Sequence, residues 1–229
     1  MNRTPKSVLV VGASRGIGAA VAQHFVEQNH HVFSVSRTQP PVGQWIPADI
    51  STPAGIQVIR AALGHTPLDA LLFMGGVWEQ GAFTDDYDFC KSSDSETRWV
   101  LSINTIAPIE ITRLLVGNLA AAANPRAIYI GSLSGIENGA SVEVANTASK
   151  FGLRGAVQAL RLALKDQKIG FSVINPGNVG TEEVMLDIQE GRFLPQEPIP
   201  LSAIVATLEW LLNLPRAVDV PDVNLWQRA

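Results

Sequence analysis

Cysteine is nearly absent from this 229-residue chain: Cys90 stands alone, which excludes an intrachain disulfide and sets the expectation of a reducing, cytoplasmic compartment. Histidine is scarce as well. His24, His30, His31 and His65, together with one cysteine, make no cluster of metal-ligand spacing, so no metal is expected. Positive charge has no surplus, because 17 Lys and Arg stand against 21 Asp and Glu for a net −4 and a sequence pI near 5.6. That balance offers no footprint for a phosphate backbone and argues against nucleic acid as a partner. No apolar run approaches the roughly 18 residues of a membrane span, and no membrane association is expected. After Met1 to Lys6, the run Val8-Leu9-Val10-Val11 stops at Gly12, too soon for a signal peptide. Tyrosine occurs only twice, as Tyr87 and Tyr129.

What is present is a 46% hydrophobic chain whose length predicts one domain over residues 1–229. Short β-branched or aliphatic runs at 7–11, 31–36, 70–73, 127–130 and 170–174 alternate with longer segments of helical spacing. Continuous apolar strands between amphipathic helices require a sheet covered on both faces, so the expected fold is α/β, a doubly wound parallel sheet. The longest helix is expected over about 96–122, with Pro108 inside it as a source of bending. Leu153, Val157, Leu160 and Leu164 make an apolar stripe on a helix opening near Asn146, read as core or subunit packing. Two segments read as functional loops: the acidic 76–95, and 184–200 with Gly191, Pro195, Pro198 and Pro200.

The first strand leads into Gly12-Ala13-Ser14-Arg15-Gly16-Ile17-Gly18 and then a helix. Glycines let backbone turn tightly and approach a pyrophosphate, and the helix N-terminus supplies free N–H groups and a positive dipole end. Dinucleotide binding follows. After the second strand, where an NAD-binding fold places an Asp or Glu on the ribose hydroxyls, stands Arg37. A guanidinium accepts no hydrogen bond but suits a 2′-phosphate, with Arg15 as a second charge, so NADP is expected over NAD.

With these motifs the chain resembles the short-chain dehydrogenase/reductase family over nearly its whole length, in the single-domain form with a Rossmann-type fold. The glycine turn resembles the family's cofactor turn, and Asp49-Ile50 resembles the pair that meets the adenine. Asn104 matches a structural Asn, Ser132 lies in Gly131-Ser132-Leu133-Ser134-Gly135, and Lys150 ends Thr147-Ala148-Ser149-Lys150. Pro176-Gly177-Asn178-Val179-Gly180-Thr181 resembles the loop on the nicotinamide side. Two departures stand out. The family's Asn-Asn-Ala-Gly reads Phe73-Met74-Gly75-Gly76, and its catalytic Tyr, four residues before the Lys, is replaced by Asn146.

The resemblance implies that Lys150 bonds the nicotinamide ribose, Ser132 holds the substrate oxygen and Asn104 supports Lys150 through a water. It also implies a homodimer or homotetramer. The catalytic set is then Ser132, Asn146, Lys150 and Asn104. The cofactor set is Gly12, Ser14, Arg15, Gly16, Ile17, Gly18, Arg37, Asp49, Ile50, Gly75, Gly76, Lys150, Pro176, Gly177, Val179 and Thr181. Trp78, Met185, Leu186 and Phe193 are candidates to line a substrate pocket, or else pack the loops. Asn has no proton to transfer, and a positioned acid contributes about 10²- to 10⁴-fold, whereas alignment supplies effective molarities of about 10⁵ to 10⁸ M. Asn146 either offers its amide to the substrate oxygen or only caps its helix. Glu143 reads as an exposed loop carboxylate, with a role as a desolvated acid the lesser alternative. Two functions therefore remain open: an NADP-linked reductase or dehydrogenase of a small or medium apolar carbonyl or alcohol, slowed by the missing phenol, or an NADP-binding sensor, scaffold or partner subunit without turnover. A Tyr-to-Asn variant of a normal reductase would read the same.

Overall fold

The computed structural model describes residues 4–193 and 196–228; Met1 and Pro195, used above, lie outside the described residues. Among them are seven strands in one parallel sheet: β1 (Ser7–Val11), β2 (His31–Ser36), β3 (Gln44–Pro47), β4 (Ala70–Phe73), β5 (Arg126–Ile130), β6 (Gly170–Pro176) and β7 (Asp222–Leu225). Their order is β3-β2-β1-β4-β5-β6-β7. The helices are α1 (Gly16–Glu27), α2 (Pro53–Leu63), α3 (Asp94–Leu101), α4 (Ala107–Ala120), α5 (Val144–Ala163), α6 (Glu182–Gln189) and α7 (Leu201–Leu212).

Alternation along each strand splits the core into two layers. Leu9 and Val11 join Ile59 of α2, Ile111 and Leu115 of α4, and Leu153 and Val157 of α5. Val8 and Val10 join Val21 and Phe25 of α1 and Ile204 and Leu208 of α7 on the opposite face. The doubly wound α/β sandwich expected from the sequence is the observed fold. The stripe on α5 packs inward as expected, with Leu153 and Val157 buried and Leu160 and Leu164 partly so.

The chain builds outward from β1 through β2 to β3, then returns to lay β4 on the other side of β1. At that reversal the connections leaving β1 and β4 diverge, which opens a crevice at the C-terminal ends of the strands.

The long helix differs from expectation in its middle. Residues 94–120 are continuous, but Ser102–Ile106 is π-helical and Pro108 falls in the first turn of α4. A proline has no N–H to give the preceding turn, and the widened turn absorbs that loss where a plain α-helix would kink. This helix is also long and apolar enough to cross a membrane, with 44% of its most apolar window buried. Its buried residues Ala107, Ile111, Leu115 and Leu119 are core side chains here. Of the two expected loops, 184–200 begins inside α6, whose Thr181 accepts from Val184 N–H, and 76–95 contains a 3₁₀ turn at Phe89–Lys91 before α3 begins.

Candidate active site

Glycine 12 has φ +87, and a Cβ on it would lie 2.5 Å from Gly75 Cα. A Cβ on Gly18 would overlap the carbonyl oxygen of Gly12. The first turn, the start of α1 and the end of β4 therefore touch backbone to backbone, as close only as glycine permits. Gly16, at φ +55, faces Thr181 at the head of α6. Arg15 occupies the N-cap of α1 without a side-chain capping bond, and no acid stands in the first turn. The positive end of α1 thus carries no acid of its own first turn, and an anionic group of a dinucleotide fits there.

Around this cradle Ser14 and Ile17 are half-buried, and Arg15 is exposed with its guanidinium 3.5 Å from Glu183. Arg37 is exposed just past β2. Asp49 Oδ1 accepts from Ser51 Oγ at 2.7 Å and Ser51 N at 3.0 Å. Those bonds, with a smaller contribution from the nearby Arg37 charge, hold the Asp49 carboxyl below the usual range. Ile50, beside it, packs against the core.

Lys150, one turn beyond Asn146 on α5, is 7% exposed with its Nζ 3.4 Å from the Ile130 carbonyl at the end of β5. Burial pushes its pKa down from 10.5 to about 8. A Cβ on Gly76 would lie 3.2 Å from that Nζ and 3.7 Å from Asn104 Oδ1, so the glycine after β4 keeps the lysine's surroundings open. The π-helical turn holds Asn104, whose Oδ1 accepts from Val77 N at 2.9 Å. Its Nδ2 donates to Val77 O at 2.7 Å and Ser149 Oγ at 3.0 Å. Asn104 thus ties the β4 loop to the residue beside Lys150.

Ser132, half-buried after β5, accepts from Ser134 N at 3.1 Å and Ser134 Oγ at 2.8 Å. Its own O–H remains available to a ligand. Gly135 matters for the same wall, since a Cβ there would come within 2.7 Å of Lys150 Cβ. Pro176 is buried at the end of β6, Gly177 N donates to Leu225 O at 3.0 Å, and Val179 bridges to Ile199. Thr181 caps α6. All of the motifs read from the sequence stand on the C-terminal side of the sheet.

Two expectations about the start of α5 are corrected. Asn146 does not cap the helix, because α5 opens at Val144 and Asn146 is its third residue, 3% exposed. Its side-chain amide makes no hydrogen bond to a described residue. The capping comes from Glu79 in the β4 loop, whose carboxylate accepts from Ala145 N at 2.6 Å and from Asn146 N at 3.1 and 3.2 Å. Glu143 is not an exposed loop carboxylate but is 2% exposed at the N-cap position. Its Oε1 accepts from Phe83 N at 2.8 Å. Neither capping nor burial had a local signal, because each acid's partners lie about 60 or more residues away.

Of the tyrosines, Tyr129 is fully buried in β5 against Thr112, 2.5 Å away, and burial drives its phenol well above the ordinary value. It takes no part in the site. Tyr87 accepts from Val144 N at 3.1 Å at the mouth. Trp78 is 40% exposed and its ring meets Phe83 at 5.9 Å, and Phe83 meets Phe193 at 6.5 Å. The β4 loop and the segment after α6 are joined through these rings, while Met185 and Leu186 are exposed on α6.

The model for the short chain dehydrogenase family matches residues 6–190. Ketoacyl reductase HetN of a Nostoc species is 29% identical over 201 residues, 80% of this chain and 67% of that protein. The 3-oxoacyl-(acyl-carrier-protein) reductase FabG of Escherichia coli is 26% identical over 215 residues, 86% of this chain and 84% of that one. Among solved structures, ElxO with NADP bound superposes with a TM-score of 0.84 at 16% identity, covering 97% of this chain and 98% of that one. A 4-hydroxyisoleucine dehydrogenase complexed with NADH gives 0.80 at 22% identity, covering 97% of each. The chain belongs to the short-chain dehydrogenase/reductase family of oxidoreductases.

Proposed function

We propose that the protein is an NADP(H)-dependent reductase or dehydrogenase of a small or medium apolar carbonyl or alcohol, working with Asn146 where the family carries its tyrosine. The observation that carries this reading is the buried Lys150 ammonium, bonded among the described residues only to Ile130 O at 3.4 Å and placed beside Gly76 on the glycine-lined side of the sheet. A nicotinamide cofactor supplies or accepts the hydride when bound. Gly12, Ser14, Gly16, Ile17 and Gly18 hold its diphosphate against the first turn of α1, where backbone N–H groups and the dipole favour an anion. Arg37 and Arg15 meet the 2′-phosphate, and Asp49 and Ile50 flank the adenine. Gly75, Gly76, Pro176, Gly177, Val179 and Thr181 enclose the nicotinamide end.

Within that enclosure Lys150 holds the nicotinamide ribose and Ser132 donates its free O–H to the substrate oxygen. The Asn146 amide, which meets no hydrogen-bond partner among the described residues, stabilises charge on that oxygen as a second donor. Asn104 positions Lys150 through Ser149 and the β4 loop. Residues 76–95 and 184–200 carry the substrate-facing loops of a single domain. The exposed Ile106 just before α4, Ile109 of α4 and Phe151 of α5 are the surface for a homodimer or homotetramer.

Calorimetric titration tests the cofactor assignment. NADPH is expected to bind at least tenfold more tightly than NADH, and Arg37→Ala to remove most of that difference, on the order of 1.5–3 kcal/mol for a charge-assisted bond. Equal affinities, unchanged by Arg37→Ala, would contradict it.

A further inference from the structure

Arg37, which meets the 2′-phosphate in the reading above, is exposed, and its guanidinium makes no hydrogen bond to a described residue. What is fixed is the backbone on either side of it. Val35 O accepts from Gly12 N at 2.9 Å and Ala13 N at 3.2 Å, which fastens the end of β2 to the glycine turn. Ser36 Oγ donates to Thr38 O at 2.7 Å and closes the turn across Arg37. Ser36 O, in the peptide that leads into Arg37, accepts from Ala48 N at 3.2 Å and from the Trp45 indole Nε1 at 3.1 Å. Both lone pairs of that carbonyl are filled, so the peptide plane from which Arg37 departs is held in one orientation.

The indole bond is an addition to the strand ladder. Trp45 pairs with Ser34 in the register of β2 and β3, and its ring reaches two residues further along β2, toward the C-terminal ends of the strands where the crevice opens. Ile46 beside it joins the core, so alternation sets Trp45 on the other side of an edge strand. At 39% exposure its N–H has water within reach, yet it turns inward to Ser36. Through its second partner, Ala48, the same carbonyl is tied to the start of the Asp49 segment, where the Arg37 charge is felt. Arg37 therefore rises between the glycine turn and Asp49 from a base that Trp45 helps to fix.

We infer that Trp45 is a positioning residue for Arg37 and so part of what selects a 2′-phosphorylated dinucleotide; this rests on the NADP reading above. An arginine loses rotamer freedom when it grips a ligand, and a fixed origin narrows the conformations from which it must find the paired N–H geometry that a phosphate takes. A dinucleotide with a hydroxyl at that position gives Arg37 nothing ionic to grip. Trp45 consequently bears on one cofactor and not on the other.

The test is a calorimetric double-mutant cycle with NADPH and NADH. Trp45→Phe keeps an aromatic ring on β3 and lacks the N–H. In the native background it is expected to weaken NADPH about three- to tenfold, the scale of one hydrogen bond, and to leave NADH within about twofold, which also shows that the fold and the glycine turn survive. In an Arg37→Ala background the same substitution is expected to change neither affinity. In a chain that prefers NADPH, an equal loss for both cofactors, an NADPH loss that persists without Arg37, or no loss at all would each overturn the Trp45 role and leave the NADP reading standing. A native chain that binds NADPH and NADH equally would overturn the NADP reading together with it.

Discussion

Lys150 shows how a single residue is set by its surroundings. Burial lowers its pKa to about 8 from 10.5. The unfolded chain therefore binds more protons than the folded one between those values, and stability contributed at this site rises with pH across that window. Below pH 8 the ammonium is charged and desolvated in the folded state, a penalty of about 3 kcal/mol. Lys150→Met is expected to raise the thermal midpoint at pH 7, by less at pH 10, and to abolish turnover; a midpoint that falls equally at both pH values would contradict this. Gly18→Ala is expected to cost about 1–3 kcal/mol by urea denaturation, since a Cβ meets the Gly12 carbonyl, and to weaken NADPH binding. The close backbone approach at Gly12 and Gly18 was legible in a local motif. Glu79 was not, because a loop acid reveals its function only when the fold carries it to a distant helix end.

At the scale of elements, α5 is built by contributions from elsewhere. Its own N-cap, Glu143, makes no capping bond, and the helix start is closed by Glu79 while Asn104 clamps Val77 to Ser149. The segment after β4 and the helix carrying Asn146 and Lys150 therefore form one unit. Glu79→Ala leaves two buried N–H groups unpaired and is expected to destabilise by about 1–3 kcal/mol in urea denaturation, with Glu79→Gln recovering part of it. An unchanged transition would show that the cap contributes nothing. Strands β1, β2 and β4 matched their sequence expectation at both ends because each is a short apolar run bounded by polar or turn residues. Strands β3 and β7, reading Gln44-Trp45-Ile46-Pro47 and Asp222-Val223-Asn224-Leu225, lie at the sheet edges and carry no such run. The π-helical turn was equally hidden, since one added backbone residue leaves the surrounding apolar period readable.

Across the whole molecule, the reversal of strand order beside β1 is what brings widely separated motifs to one crevice. Glycine turn, π-helical Asn104, Ser132 after β5 and Lys150 on α5 owe their proximity to that topology, which the alternating pattern of strands and helices predicted. The same architecture leaves Ile106, Ile109 and Phe151 exposed on one side, and light scattering is expected to give a mass of two or four 24.6 kDa chains. A single-chain mass would contradict the oligomer.

The central claim, that this site reduces carbonyls without the tyrosine, is tested most directly by following NADPH absorbance with a panel of aldehydes, ketones and quinones for the native chain, Lys150→Ala and Asn146→Tyr. The account predicts turnover by the native chain that Lys150→Ala abolishes. Turnover confined to Asn146→Tyr would contradict it, leaving a protein that binds the cofactor without using it.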